Sequence, residues 1–407
     1  MSDPSPSAGS AGQTFLVGET IYLRGLEVSD ARRASAWRSS PFPIAAERAE
    51  AMLKKELPAA AERRTTSLVA CRIDGDEPVG ATTVETADWR TGWVKLHADP
   101  ALGRAAADVK AEIVRLVVPW LSDERHMMVV HVSVDADQGP VVAAAEAVGM
   151  RPAFRLREAY WRDGGRHDQV VYERLHPGWI DLLGDPGPGI DAAGPPAVVQ
   201  LRPERQRDAG PSDGTWPRNA TMIGERVVLR PLEVEDGEQI ARWSRQETET
   251  FFDNGRGVRS PILLAHWAGE IGKDEPPDEI EFAIALRDGG ELIGDNGLYG
   301  IDWINRTAET GTGIYRPEHR GGGLGTEAKH LLLEYAFERL GLHMVRSFVW
   351  GPNTRSAAAL RKQGYRDAGR LHWLSVQAGA FAEEVVFDLL ADEWRAGRQR
   401  RDELGTR

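Results

Sequence analysis

The chain has 407 residues, a formal net charge of −12 and a single cysteine, Cys71. Its length is enough for two or three domains with their own cores, and its acidic balance argues against a nucleic-acid partner held by phosphate contacts. One cysteine cannot form an internal disulfide, and no histidine accompanies it at metal-ligand spacing, so we expect neither a metal site nor a cysteine nucleophile. Residues 1–14, rich in Ser, Pro, Gly and Ala, predict a disordered tail and not a signal peptide. No apolar run is long enough to span a bilayer, so we expect a cytoplasmic protein with no membrane contact.

An internal repeat follows the tail. Residues 18–30 read GETIYLRGLEVSD and residues 224–236 read GERVVLRPLEVED, with Trp37 and Trp243 at the same distance beyond them. A constant offset of this length indicates two duplicated domains and not a solenoid. Each copy is expected to begin with a strand and to continue into a capped helix.

The first copy is predicted to span residues 15–182. Its hydrophobic periodicity alternates between strand-like and helix-like segments. The predicted elements are strands at 68–72, around 79–80 and at 127–134, a helix at 106–121, and a helix that ends before Gly149.

A segment rich in Gly, Pro, Asp and Ala, residues 183–221, separates the two copies and predicts an interdomain linker. The second copy is predicted at residues 222–394. Strands at 373–376 and 384–389 are expected to complete its sheet. Residues 395–407 are predicted to form a charged tail.

The most informative stretch is residues 315–328, which read YRPEHRGGGLGTEA. Its four glycines are followed at once by apolar residues at helical spacing, which predicts a glycine turn that opens a helix. Glycine accepts the positive φ of such a turn and leaves backbone N–H groups free at the positive end of the helix dipole. The stretch therefore predicts a phosphate site.

The residues and glycine spacing of the turn argue against two common kinds of phosphate site. A nucleoside-triphosphate loop needs Lys and then Ser or Thr after the last glycine, whereas Thr326-Glu327 stands here. A dinucleotide turn has another glycine spacing and a later acidic residue for which there is no good candidate. The remaining pattern, Arg320-x-x-Gly323-x-Gly325 after a strand, resembles the pyrophosphate motif of the GCN5-related N-acetyltransferases, the GNAT superfamily.

The order of the elements around the turn supports this resemblance. A strand with internal glycines precedes the turn. After the next strand, residues 344–350, come Asn353-x-x-Ser356, a short helix and a Gly-aromatic pair. This order is similar to a GNAT core, most like the group of ribosomal-protein N-terminal acetyltransferases, and covers nearly the whole C-terminal half. The resemblance implies two tandem GNAT-like α/β domains of the α+β type, each with a mixed, mostly antiparallel sheet flanked by helices.

The resemblance also implies acetyl-CoA as co-substrate, without a metal. Arg320 would pair with a phosphate, Asn353 would bond to the pantetheine arm, and Lys362 would reach the adenosine end. The positions that match the coenzyme site are Ile314, Tyr315, Arg316, Arg320, Gly321, Gly322, Gly323, Leu324, Gly325, Thr326, Asn353 and Lys362.

Acyl transfer to an amine needs a base, because the amine is mostly protonated at neutral pH. In the resembled enzymes the glutamate of an Ala-Glu-x-Gly stretch is commonly proposed as this base, and Glu309 holds that place. The alternative is a surface carboxylate paired with an arginine such as Arg306. Asp295 and Asp302, on the preceding strand, are candidates for binding the ammonium of the substrate.

The departing thiolate needs a proton, and the residue that supplies it is left open. Many superfamily members use a Tyr seven residues after the asparagine, but that position is Leu360 here. Ser356 matches the Ser of the family motif and is the first candidate, with a helix N-cap as its simpler role. Tyr365 is the second candidate, with core packing as its simpler role.

The first copy lacks these features. Its counterpart of the glycine turn, residues 103–108, reads GRAAAD, in which alanine is strained at positive φ and the aspartate would repel a diphosphate. Gln138 and Val141 replace Asn353 and Ser356. We therefore expect a degenerate domain with a structural or substrate-shaping role; an altered donor site is the alternative.

The sequence thus predicts an N-acetyltransferase that acts on a primary amine by direct attack. The expected acceptor is a small cationic metabolite or an amine-bearing antibiotic. The alternatives are a protein N-terminus, an acyl group other than acetyl, or a non-catalytic CoA-binding sensor or scaffold. The chain is expected to be a monomer or homodimer.

Overall fold

The computed structural model describes residues 14–62, 65–86, 90–190, 219–244, 260–377 and 380–405. The predicted tail lies outside these residues except for Thr14, and so do residues 191–218 of the predicted linker. Within the described ranges, no helix is long and apolar enough to cross a membrane. The same ranges hold no cluster of three or more His, Cys, Asp or Glu side chains arranged to bind a metal ion.

The chain divides into two compact units. The first contains residues up to Arg155, Asp168–Ile190 and His372–Leu374. The second contains Leu156–His167 and the remainder of the chain from Asp191 onward. Each unit is an α/β structure with its own buried core.

The first half of the chain forms a sheet with the strand order β1-β2-β3-β4-β5-β6-β8-β7. Its strands are β1 (Leu16–Val17), β2 (Ile21–Gly25), β3 (Thr65–Arg72), β4 (Pro78–Glu85), β5 (Thr91–Ala98), β6 (Val129–Asp135), β7 (Arg151–Arg162) and β8 (Gly165–Leu175). Its helices are α1 (Ala34–Trp37), α2 (Ala46–Glu62), α3 (Ala106–Pro119), α4 (Gly139–Ala147) and α5 (Pro177–Leu183).

The second half forms a sheet with the strand order β9-β10-β11-β12-β13-β14-β16-β15. Its strands are β9 (Met222–Ile223), β10 (Val227–Pro231), β11 (Ile280–Leu286), β12 (Leu292–Asp302), β13 (Thr307–Ile314), β14 (Met344–Trp350), β15 (Arg366–Gln377) and β16 (Ala380–Leu390). Its helices are α6 (Val234–Ser244), α7 (Pro261–Glu270), α8 (Leu324–Glu334), α9 (Thr354–Lys362) and α10 (Ala391–Gly405).

The two halves repeat one topology, which confirms the predicted fold class. In each, five strands pair in chain order, the sixth runs parallel to the fifth, and the last two are exchanged in position. Between the fifth and sixth strands, α3 and α8 each end in a single π-helical turn, Trp120–Glu124 and Tyr335–Arg339.

The core of the second unit lies between α8 and one face of the sheet. Ala328, Leu331 and Leu332 are buried on α8, at the helical spacing that the sequence shows. They join Phe282 and Ile284, which point to the same face because side chains alternate along a strand. The opposite sheet face is left for α6, α7 and the candidate site.

An arginine–aspartate pair is repeated at the start of both units. In the first, two guanidinium nitrogens of Arg24 donate to the two carboxylate oxygens of Asp30 at 2.9 and 2.7 Å. In the second, Arg230 and Asp236 pair in the same way at 2.6 and 2.8 Å. Each aspartate also accepts the backbone N–H three residues before it, at 2.8 Å. The pair thus fixes the turn between the first long strand and the next helix.

Two predicted boundaries are corrected. The helix expected at 106–121 ends at Pro119, because the π-helical turn Trp120–Glu124 follows it. In the first copy, a 3-10 turn, Val28–Arg33, precedes the short α1 in place of one regular helix. The predicted charged tail belongs to α10, which follows directly after β16 and is helical as far as Gly405.

The Asp236→Asn variant is expected to lower the free energy of unfolding of the second unit by about 3 kcal/mol, because it leaves the nearly buried Arg230 without its ionic partner. Urea unfolding followed by circular dichroism measures the change. The matched control is Glu238→Gln, which removes an exposed ion pair with Arg242 and should cost less than about 1 kcal/mol. Equal effects of the two variants would contradict the role of the pair.

Candidate active site

The parallel ladder between β13 and β14 is short. It pairs Thr307–Glu309 with Met344–Arg346 and ends there. Beyond that point β13 stays paired with β12 as far as Ile314, whereas β14 stays paired with β16 as far as Trp350. The two strands therefore separate, and the backbone of β13 after Glu309 is left without a strand partner on its β14 side.

Hydroxyl groups close the apex of this opening. Ser347 donates from its hydroxyl to the carbonyl of Thr310 at 2.9 Å, and the Thr310 hydroxyl donates to the carbonyl of Arg346 at 3.2 Å. The Thr310 hydroxyl also lies 2.8 Å from that of Tyr365, which is only 1% exposed. Burial raises the pKa of Tyr365, so its phenol stays neutral. The phenol is thus part of the core and lies at the apex.

The glycine turn leads from the end of β13 into α8. Gly321 and Gly323 adopt φ values of +81° and +86°, which strain other residues. A Cβ at Gly325 would lie 3.2 Å from the Ile314 side chain. Leu324 starts the helix, and the first N–H groups of a helix have no partner within it. The turn therefore presents backbone donors at the open end of the strand pair.

Arg320 braces the turn from within. Its Nε donates to the carbonyl of Ile314 and its Nη2 to the carbonyl of Tyr315, both at 2.8 Å. These bonds tie the turn to the end of β13. The ion pair of Arg320 with a phosphate, expected from the sequence, stays a prediction beside this bracing role.

Arg226, which the sequence reasoning did not select, braces the turn from β10. Its Nη1 donates to the carbonyl of Gly322 at 2.8 Å, and its Nε donates to Glu327 at 2.9 Å. Glu327 also accepts the backbone N–H of Arg226 at 2.8 Å. The only sequence feature that singled out Arg226 is its place in the repeated segment at residues 224–236, where the two copies have different residues.

The loop after β14 places Asn353 and Ser356 at the start of α9. The Asn353 side chain accepts the backbone N–H of Ser356 at 3.1 Å, so Asn353 is the N-cap. The simpler role expected for Ser356 is therefore corrected. The Ser356 hydroxyl is half-buried and makes no hydrogen bond to the described residues, which leaves it available to a ligand.

Three further residues predicted to contact the coenzyme lie toward solvent. Arg316 forms ion pairs with Glu291, at 2.7 Å, and with Glu318. Lys362 is exposed in the last turn of α9. Thr326 is likewise exposed, in the first turn of α8. Their contacts with a coenzyme stay predictions.

Glu309 points away from the α8 core, toward the face covered by α6 and α7. Its neighbours across the ladders are Tyr299 on β12 and Arg346 on β14. Burial raises the pKa of Glu309, and the charges of Arg346 and Lys329 oppose that rise. A carboxylate with a raised pKa accepts a proton more readily near neutral pH, as a general base must.

The two aspartates proposed to bind the substrate differ. Asp295 shares the sheet face of Glu309 and accepts a hydrogen bond from the Tyr315 hydroxyl. Asp302 instead closes the β12–β13 turn: its carboxylate accepts the N–H groups of Ile304 and Asn305 at 3.0 and 2.8 Å. Both Asp302 oxygens are used within this turn, since the second accepts from the Asn305 amide at 2.7 Å. The expectation that Asp302 binds the substrate ammonium stays a prediction beside this role in the turn.

Two buried charged residues near the site were missed from the sequence. Glu281 on β11 is 3% exposed and Lys329 on α8 is 4% exposed. Burial lowers the pKa of Lys329 to about 7, and its ammonium lies 5.9 Å from the centre of the Tyr365 ring. The sequence feature that could have identified them is a single charged residue among the apolar residues of β11 and of α8. Charged side chains are rarely buried without a role.

The first unit differs at the corresponding turn. Gly103 alone adopts a positive φ there, +56°, and α3 begins three residues later with Asp108 in its first turn. Gln138, at the start of α4, makes no cap and donates to Asp135 at 2.6 Å. The first unit thus keeps the topology without the glycine turn or the capping asparagine.

Comparison with known proteins agrees with this geometry. A family model described as an acetyltransferase (GNAT) domain matches residues 226–366. The uncharacterised N-acetyltransferase p20 of Bacillus licheniformis is 28% identical over 180 residues, which is 43% of this chain and 98% of that protein. A candidate ribosomal N-acetyltransferase of Bacillus subtilis (strain 168), YdaF, is 27% identical over 180 residues, 42% of this chain and 95% of that protein.

A solved structure of a candidate acetyltransferase from Sphaerobacter thermophilus is 36% identical, with a TM-score of 0.34, and covers 40% of this chain and 99% of that one. The matches to p20 and YdaF cover nearly all of each relative, yet less than half of this chain, as expected for one of two tandem domains. The second half of this chain therefore contains a domain of the GNAT acetyltransferase family, at residues 226–366.

Proposed function

We propose that the chain transfers an acetyl group from acetyl-CoA to a primary amine of a small cationic acceptor, such as a cationic metabolite or an amine-bearing antibiotic. The observation that carries this proposal is the continuous path along β13: Glu309 lies at the apex of the opened strand pair, and the glycine turn follows the end of the same strand. GNAT enzymes generally use acetyl-CoA. The path would hold its diphosphate at the turn and its thioester near Glu309.

The coenzyme contacts follow from the groups that the fold leaves open. Backbone N–H groups of the turn and of the first turn of α8 would hold the diphosphate. The unpaired edge of β13 beyond Glu309 would bond to the pantetheine arm, with Asn353 on the opposite side of the opening. Backbone donors on this edge are also the groups available to polarise the thioester carbonyl.

The reaction would run by direct attack of the amine on the thioester. Glu309 would take the proton from the ammonium, the neutral nitrogen would attack the carbonyl carbon, and the C–S bond would break with release of a thiolate. Ser356, whose hydroxyl is available, would give the thiolate its proton, and Tyr365 is the second candidate. Asp295 would attract the cationic acceptor to this sheet face through its charge.

The acidic sheet face supports a cationic acceptor. Asp295 and Glu309 lie on adjacent strands of the same face, so a positively charged amine is attracted where a neutral one is not. A protein N-terminus is the second candidate acceptor, and it rests on the name of the relative YdaF. The first unit would then shape or shield the acceptor site.

The Gly323→Asp variant should abolish acetyl-CoA binding, because it places a carboxylate at the turn that would hold the diphosphate. Isothermal titration calorimetry should show one site per chain in the wild type and none in the variant. Gly103→Asp is the matched control, since it puts the same residue at a positive φ in the turn of the first unit. Binding lost in the control, or kept in Gly323→Asp, would place the coenzyme elsewhere.

The Glu309→Gln variant should lower kcat/KM by about 100-fold or more while acetyl-CoA binding is retained, as expected when a general base is removed. In the wild type, activity should fall as the pH drops through the raised pKa of Glu309, because the protonated group cannot accept a proton. A thiol-release assay across pH measures both effects. A variant with full activity at every pH would remove Glu309 from the mechanism.

The residue that protonates the thiolate can be identified with two conservative variants. Ser356→Ala should lower kcat by about 10-fold or more with little change in KM, whereas Tyr365→Phe should have the smaller effect on kcat. Thr354→Ala, which removes an exposed hydroxyl two residues earlier in the first turn of α9, is the control. The reverse order of effects would assign the proton to Tyr365.

A further inference from the structure

A second buried carboxylate shares the sheet face of Glu309. Glu281 on β11 lies opposite Gly297 on β12, which in turn lies opposite Gly311 on β13. Because side chains alternate along each strand, Glu281 points to the same face as Asp295 and Glu309. Three adjacent strands therefore each bring one carboxylate to this face.

Glycines make room for side chains that lie across the sheet. A Cβ at Gly297 would lie 1.9 Å from the Oε2 of Glu281. A Cβ at Gly311 would lie 2.8 Å from the ring of Tyr299. Any other residue at these positions would displace Glu281 or Tyr299. The local sequence therefore fits a face on which these two side chains lie flat beside the carboxylates.

The carboxylate of Glu281 forms no ion pair with a cationic side chain in the described part of the chain. It is 3% exposed, and neither of its oxygens receives a hydrogen bond of acceptable geometry. The Tyr299 hydroxyl is its polar neighbour. Burying a carboxylate without a partner is costly, so this side chain lacks the cation that would offset its burial.

We propose that Glu281 recognises the acceptor: its carboxylate binds a second cationic group of the amine, an ammonium or guanidinium, in a subsite formed with Asp295 and Tyr299. This inference rests on the proposed function, which places the reacting nitrogen at Glu309. The Cα atoms of Glu281 and Glu309 are two strands and two residues apart, or about 12 Å. The acceptor class is therefore a dication whose two charges are separated by a chain of several atoms.

Because of the charges around Glu281, the binding of a cation there should change the number of protons bound to the protein, which can be measured. Burial raises its pKa, the charges of Asp295 and Glu279 raise it further, and Tyr299 and Lys329 act in the opposite direction. The carboxyl group therefore binds a proton more readily than an exposed glutamate does. A cation that binds there stabilises the charged form, so binding should release a proton.

The test compares 1,6-diaminohexane with hexylamine, titrated by calorimetry into the protein saturated with CoA. The wild type should bind the diamine at least 10-fold more tightly than the monoamine. Glu281→Gln should lose this preference, and the exposed-site control Glu238→Gln should keep it. Titrations in two buffers of different ionisation enthalpy should show more protons released on diamine binding to the wild type than to Glu281→Gln.

Equal binding of the two amines by the wild type overturns the proposal without any variant. A preference that survives in Glu281→Gln, with acetyl-CoA binding intact as the check of folding, also overturns it. Asp295→Asn provides a second variant, which should weaken the same preference. Turnover is measured in parallel to separate the two proposals. If diamine binding depends on Glu281 but no acetylation occurs, the subsite is kept and the proposed acetyl transfer is refuted. If both amines are acetylated with equal kcat/KM and bind equally, acetyl transfer is kept and the subsite is refuted.

Discussion

The end of the ladder between β13 and β14 is the constraint on which the second unit depends. Three residue pairs hold the strands together as far as Glu309 and Arg346, and from there each strand is kept in place by its other neighbour. Backbone groups on a strand edge without a neighbouring strand need water or a ligand as hydrogen-bonding partners. Glu309 and the open edge lie on β13, and the glycine turn follows the end of the same strand. A ligand that bonds to the open edge would supply the hydrogen-bonding partners that β14 does not provide there.

Buried charge in this unit is of two kinds. Arg230 and Asp236 are fully paired, and they fix a turn far along the chain from the glycine turn. Glu281 and Lys329 are buried without a close ionic partner among the described residues, and both have shifted pKa values. Paired groups of this sort serve stability, whereas unpaired ones are costly to the fold and are found where chemistry or binding compensates for them.

The repeat, the glycine turn and the strand–turn–helix order could be predicted because each follows from local pattern. Residues 18–30 and 224–236 match by position, and Gly321 and Gly323 adopt positive φ values that few other residues allow. The roles of Asp302 and Ser356 could not be predicted from the sequence. The Asp302 side chain accepts the backbone N–H of Asn305, whereas the backbone N–H of Ser356 is accepted by the Asn353 side chain. The sequence does not show which nearby N–H group meets which side chain. Glu281 and Arg226 were missed because their neighbours come from distant parts of the sequence, and only strand register places them.

The contact between Glu281 and Gly297 also governs how this sequence can change. A methyl group at position 297 would lie 1.9 Å from the Glu281 carboxylate and 2.8 Å from the backbone carbonyl oxygen of Ile280. Replacing Glu281 by a shorter residue removes only the first of these contacts, so position 281 can change while position 297 stays glycine. The constraint is therefore one-sided: homologues should keep the glycine at 297 even where the residue opposite it differs.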